Sequence, residues 1–263
     1  MATVETPPKS AYPERIDPQE IFVGLDFDRF LASVDKTYAL LNETIRTRES
    51  YGGQELADVM SEAKEATEND GGSFNPVDFL KQQSVTDETI NEILDDFVVA
   101  AQKNPEEYLE EGAVGLLKVL EEHRVNYGVI TYTTSDLWSI AKIKGLLPTK
   151  IKHITTPETD KRELIRGWWD DERQEFAVPA ALGGVAARWV LYGDDKGPVL
   201  EDFSADERMG GWWYVPSGDK GALLPSQQPT KSMPAHIIEI DRLTELTRDI
   251  QRVYQDYKAS FRA

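Results

Sequence analysis

Residues 21 to 31 read Ile-Phe-Val-Gly-Leu-Asp-Phe-Asp-Arg-Phe-Leu, a short apolar run broken by two aspartates two positions apart. A continuous apolar run of this length is the pattern of a strand buried on both faces, as in a parallel sheet covered by helices. Open sheets of that kind carry their ligands beyond the carboxyl ends of the strands. Asp26 and Asp28 therefore stand where such a sheet would place a site. In an extended chain, residues i and i+2 face the same way, so both carboxylates can reach one ligand or one cation. Taken alone, an Asp-x-Asp pair is more often a solvated strand end, and the rest of the chain has to decide between the two.

The same arrangement recurs downstream. Residues 127 to 131 predict a second buried strand that stops in a hydroxyl-rich run, Tyr132 to Asp136, and leads into a helix over 137–144. Such a corner offers hydroxyls and backbone N–H groups to an anion, or simply caps the helix. A short strand is expected at 152–155, then a helix from Thr159 to Trp168. Lys161 falls in the first turn of that helix, against the preference for acids there, which points to a task other than solvation. A further strand at 188–192 ends in Gly193-Asp194-Asp195, a sequence that also suits a plain turn. A last strand at 236–240 and a closing helix over 243–257 complete the alternation. The stretch after Asp202, with Gly210-Gly211-Trp212-Trp213-Tyr214 and a Pro/Gly/Ser-rich segment from Pro216 to Pro234, reads as irregular. Strand and helix alternate as in α/β proteins, predicting a Rossmann-like parallel sheet with helices on both faces.

Between the first two strands the pattern is helical throughout. Helices are expected near 35–48, 54–66, 76–83 and 87–103, the last with Thr86 as its cap, and an amphipathic helix over 106–123 returns the chain to the sheet. Residues 37 to 112 hold 18 acidic against 5 basic side chains, so much of the net charge of -18 belongs to this insertion. That charge excludes a broad basic surface for nucleic acid. No apolar stretch approaches a membrane span, and no cysteine is present for a thiolate metal site or a thiol nucleophile. A soluble, cytoplasmic protein with no nucleic-acid or membrane partner is the expectation. The domain reading is a flexible lead-in over 1–19, a core built from 20–35 and 111–263, and a helical subdomain over 36–110.

Asp26 with Asp28, Thr131, Lys161, and Asp194 with Asp195 thus arrive in order at the ends of successive elements. Taken together they resemble the four motifs of the haloacid dehalogenase-like superfamily: an Asp-x-Asp, a Thr or Ser, a Lys, and an acidic pair. The resemblance runs over roughly residues 20 to 255, and the insertion resembles the helical cap found in that family between its first and second motifs. It implies an Mg²⁺-dependent phosphatase acting on a small phosphorylated metabolite. Asp26 is then the nucleophile that forms an aspartyl-phosphate, and Asp28 the acid and base. Thr131 and Lys161 hold the phosphoryl oxygens. The metal falls to Asp26, the backbone carbonyl of Asp28, and Asp194, with Asp195 as a further ligand or in support of one. Carboxylates crowded against a phosphate require a cation, and Mg²⁺ suits an all-oxygen site.

One position departs from that pattern: Phe30 stands where the family has Thr, and Phe supplies no hydroxyl to the loop. Lys142, Lys144, Lys150 and Lys152 are alternatives to Lys161. Two other readings stand beside the phosphatase. One is a weak or inactive binding or scaffold protein on the same fold; the other is a haloacid dehalogenase, which would not need Asp28. Trp168, Trp169, Trp212 and Trp213 suit core packing or a homo-oligomer contact through a Trp-rich surface. His123, His153 and His236 have no metal-ligand spacing.

Overall fold

A computed structural model describes residues 17–48, 52–70, 74–132, 136–157, 160–216 and 223–260. The lead-in up to residue 16 and the hydroxyls of Thr133 to Ser135 lie outside the described residues. The strands are β1 (Ile21–Leu25), β2 (Asn126–Tyr132), β3 (His153–Thr156), β4 (Trp169–Asp170), β5 (Glu175–Ala177), β6 (Ala186–Ala187), β7 (Trp189–Asp194), β8 (Met209–Tyr214) and β9 (Ile237–Ile240). The helices are α1 (Val34–Arg46), α2 (Gly53–Asn69), α3 (Pro76–Gln82), α4 (Asp87–Ala101), α5 (Ala113–Glu122), α6 (Asp136–Leu146), α7 (Lys161–Arg166), α8 (Gly197–Leu200) and α9 (Leu243–Ser260). Six strands form one sheet in the order β3-β2-β1-β7-β8-β9. The pairings β1 with β7, β7 with β8, β8 with β9 and β2 with β3 are all parallel. The strand order therefore runs outward in both directions from β1, the topology that leaves a ligand position beyond the strand ends.

The chain divides into two units. The first comprises residues up to Leu25, Gly115–Gly128 and the chain from Asp160 onward. In it β1 is buried along its whole length, as its apolar run predicts, and so is β8. The run read as irregular is thus a central strand. The reason lies at Gly211, where a Cβ would stand 1.9 Å from the Tyr192 carbonyl oxygen of β7. The glycines that read as a loop signal are what lets two backbones approach. Trp212 and Trp213 on this strand are interior residues, 0% and 3% exposed. A small antiparallel sheet, β4-β5-β6, branches from the same unit.

The second unit comprises Asp26–Val114 and Val129–Thr159. Here α4 packs on α1 and α6, and α1 on α2. Helix α3 is capped by Asn75, whose side chain accepts from Val77 N and Asp78 N, and α4 by Thr86, which accepts from Thr89 N. These short polar side chains satisfy N–H groups the helix cannot. The helix expected over 106–123 is not continuous. A 3₁₀ turn over Pro105–Tyr108 is followed by Leu109 in extended conformation and Gly112 at φ 91°, and α5 starts only at Ala113. Leu109 leaves the helical pattern because it bridges Ala32 instead.

Candidate active site

Leu25, the last residue of β1, is in register with Gly193 on β7. One residue further along each strand stand Asp26 and Asp194, so strand register alone draws these carboxylates together. Asp26, Asp194 and Asp195 are 4%, 0% and 1% exposed, and each offers an oxygen within 4.8 Å of the others. Like charges at this spacing repel by roughly 3 kcal/mol per pair at an effective dielectric of about 20. Lys161, itself buried, brings one positive charge: its Nζ donates to Asp194 Oδ2 at 2.9 Å. The odd placement of a lysine in the first turn of α7 is explained by this turn inward, while Asp160 caps the helix by accepting from Glu163 N. The other Asp194 oxygen accepts from Lys196 N at 2.8 Å. Asp195 Oδ2 accepts from Gln227 Nε2 at 2.6 Å, and the Trp213 indole donates to the Asp195 carbonyl at 3.2 Å. Gln227 had no sequence signal; it lies 32 residues beyond Asp195 in the segment that reads as loop. Among the described residues these three buried carboxylates gather hard oxygen donors around one spot, a set that fits a divalent cation such as Mg²⁺.

Asp28 has a different partner. The ammonium of Lys142, on α6, donates to both of its carboxylate oxygens. Lys142 is 3% exposed, and its Nζ lies 5.5 Å from the ring centre of Phe27 and 5.3 Å from that of Trp138. Among the alternatives to Lys161, Lys144, Lys150 and Lys152 are exposed, so the two inward-turned lysines divide their attention between Asp194 and Asp28. Trp138 is buried against Phe97 at 4.9 Å and Tyr38 at 5.6 Å between ring centres. The Tyr38 hydroxyl donates to the Phe74 carbonyl at 2.7 Å. Burial, then the neighbouring Asp28 charge, pushes that hydroxyl well above the ordinary tyrosine range.

The loop after Asp28 is held by its main chain. The Phe27 carbonyl accepts from both Leu31 N and Ala32 N, Arg29 N donates to the Ala32 carbonyl, and Glu110 N donates to the Leu31 carbonyl. Phe30 is fully buried. Backbone bonds and the apolar side chain of Phe30 thus hold this loop. Arg29 adopts a left-handed conformation, φ 62°, and pairs with Glu68 at 3.2 Å. Thr131 sits buried one residue from the end of β2, its hydroxyl 3.5 Å from the Tyr132 carbonyl, a distance too long to hold the hydroxyl firmly.

No family model matches the sequence, and no curated protein matches it. Solved structures do. A protein from Burkholderia xenovorans LB400 described as a haloacid dehalogenase-like hydrolase is 15% identical, with 90% of this chain and 99% of that one covered and a TM-score of 0.53. Cytosolic 5'-nucleotidase IIIB, solved bound to cytidine, is 8% identical over 93% of this chain and 88% of its own, with a TM-score of 0.50.

Proposed function

We propose that this chain, which has the fold of the haloacid dehalogenase-like hydrolases, is a magnesium-dependent phosphatase of a small phosphorylated metabolite. The observation that carries the reading is the buried cluster of Asp26, Asp194 and Asp195 with Lys161 turned into it. An oxygen of Asp26 attacks phosphorus, the bond from phosphorus to the ester oxygen breaks, and the alcohol leaves with a proton from Asp28. Water then attacks the same phosphorus and gives its proton to Asp28, releasing inorganic phosphate and restoring Asp26. Lys161 and Thr131 hold phosphoryl oxygens, Lys161 also offsetting charge as it develops. Asp26, Asp194 and the Asp28 carbonyl would hold Mg²⁺, with Asp195 as ligand or support, and the bound ion would supply positive charge that lets a carboxylate approach a phosphate. The acidic helices of residues 36–110 are the cap in this reading and select the substrate.

The test is hydrolysis of p-nitrophenyl phosphate with and without Mg²⁺, for the wild type and Asp26→Asn. Magnesium-dependent turnover is expected, falling by at least about 10³-fold in the variant, since loss of a nucleophile removes the covalent route. Turnover unchanged in Asp26→Asn would remove that residue from its role. Location in the cytoplasm accords with the cysteine-free composition; among the described residues no helix is long and apolar enough to cross a membrane.

A further inference from the structure

The buried lysine on α6 has no place in the chemistry just described. An ammonium removed from water costs several kcal/mol unless it is paired, so Lys142 is kept for a reason. It is 3% exposed, it grips both oxygens of Asp28, and the faces of Phe27 and Trp138 wall it in. Trp138 is fixed in turn by Phe97 and Tyr38, and α6 is packed on α4. The lysine therefore stands on a rigid mount, whereas Asp28 lies on a loop and is the more exposed partner, its side chain 32% exposed against 4% for Lys142.

We propose that Lys142 is a positioning residue: its ammonium fixes where the Asp28 carboxyl points and thereby decides how well the site cleaves esters with poor leaving groups. This inference rests on the phosphatase reading. An alkyl alcohol leaves only if a proton reaches its oxygen as the bond to phosphorus breaks, and that transfer depends on the acid lying within hydrogen-bond reach of one atom. A nitrophenolate leaves as the anion and makes little demand on the acid. A two-oxygen grip removes the rotation of the carboxyl about its own bond, which a single hydrogen bond would leave free.

The experiment compares wild type, Lys142→Met and Lys142→Arg on p-nitrophenyl phosphate and on an alkyl monoester, glycerol 2-phosphate, with Mg²⁺ present. In Lys142→Met, kcat/KM on the alkyl ester, which reports the steps up to departure of the alcohol, is expected to fall about 100-fold, the range of a general acid's contribution. The loss in kcat/KM on the aryl ester should be at least tenfold smaller, since the water step that Asp28 also serves comes after the alcohol has left and does not enter this ratio. Lys142→Arg should regain part of the alkyl rate, because its fork can also hold two carboxylate oxygens. Equal losses on the two esters, or no gain from arginine, would overturn the inference. Wild type inactive on both esters would instead overturn the phosphatase reading. The pair itself is then read separately, from thermal unfolding of Asp28→Asn, Lys142→Met and the double variant. Shifts in Tm that are strongly non-additive support the grip; additive shifts sink it.

Discussion

Arg29 shows at the scale of one residue what the loop from Phe27 to Ala32 demands. An L-residue in the left-handed region costs roughly 1–2 kcal/mol over the usual helix conformation, and Arg29 takes that conformation directly after Asp28. Its guanidinium meets Glu68, an ion pair half open to water and worth no more than about 1 kcal/mol. The pair therefore does not decide the loop's shape; the backbone bonds among Phe27, Arg29, Leu31 and Ala32 do. Two substitutions separate these terms. Arg29→Ala and Arg29→Gly both lose the ion pair, but only glycine is relieved of the strain. We expect Arg29→Gly to be the more stable of the two by about 1 kcal/mol in urea unfolding. The reverse order would mean that the residue does not sit in the left-handed region in solution. Lys142 and Lys161 make a related point. Lys142 lies past the middle of α6 and Lys161 in the first turn of α7, and in both the carboxylate that the ammonium meets accounts for the burial.

At the scale of elements, the errors of sequence reading have a common cause. A glycine pair signals a loop because glycine is conformationally free, yet in β8 the glycine at 211 is there for space. The strand is flanked by β7 and β9, and no side chain fits against the Tyr192 carbonyl. Gly211→Ala should cost about 3 kcal/mol or more, since the obstacle is backbone in a central strand rather than a side chain able to turn aside. The signature is a lower urea midpoint at unchanged m-value; a loss under about 1 kcal/mol would show that β7 and β8 can move apart. The broken helix between Pro105 and Glu122 fails in the opposite sense. Its apolar spacing is helical, but Leu109 is claimed by Ala32 in the loop after β1, a partner 77 residues earlier that no local pattern reveals. Caps, by contrast, are local, and Thr86 acts where its sequence context places it.

For the whole molecule the dominant fact is a net charge of -18 with three carboxylates buried together. A divalent cation that binds the folded chain and not the unfolded one stabilises it by about 2.7 kcal/mol at a hundred times its dissociation constant. For a chain of this size that raises Tm by roughly 5 °C or more. Magnesium chloride should give this rise where sodium chloride of equal ionic strength, which only screens surface charge, gives less, and Asp194→Asn should abolish the difference. Equal shifts with the two salts would argue against a specific site.

Much of this was legible in the order of residues. Buried strands in a parallel sheet must be apolar along their whole length, and ligands gather where such strands end, so Asp26, Thr131 and Asp194 could be located from local pattern and chain order. The insertion's helices follow from periodicity, which is also a local property. Tertiary structure alone decided which groups face one another. The register of β1 with β7 sets Asp26 beside Asp194, Gln227 reaches Asp195 from a distant loop, and Lys142 closes on Asp28 across 114 residues. Such pairings depend on how elements pack in space, and a buried charge is stabilised by whichever partner that packing delivers, near or far in sequence.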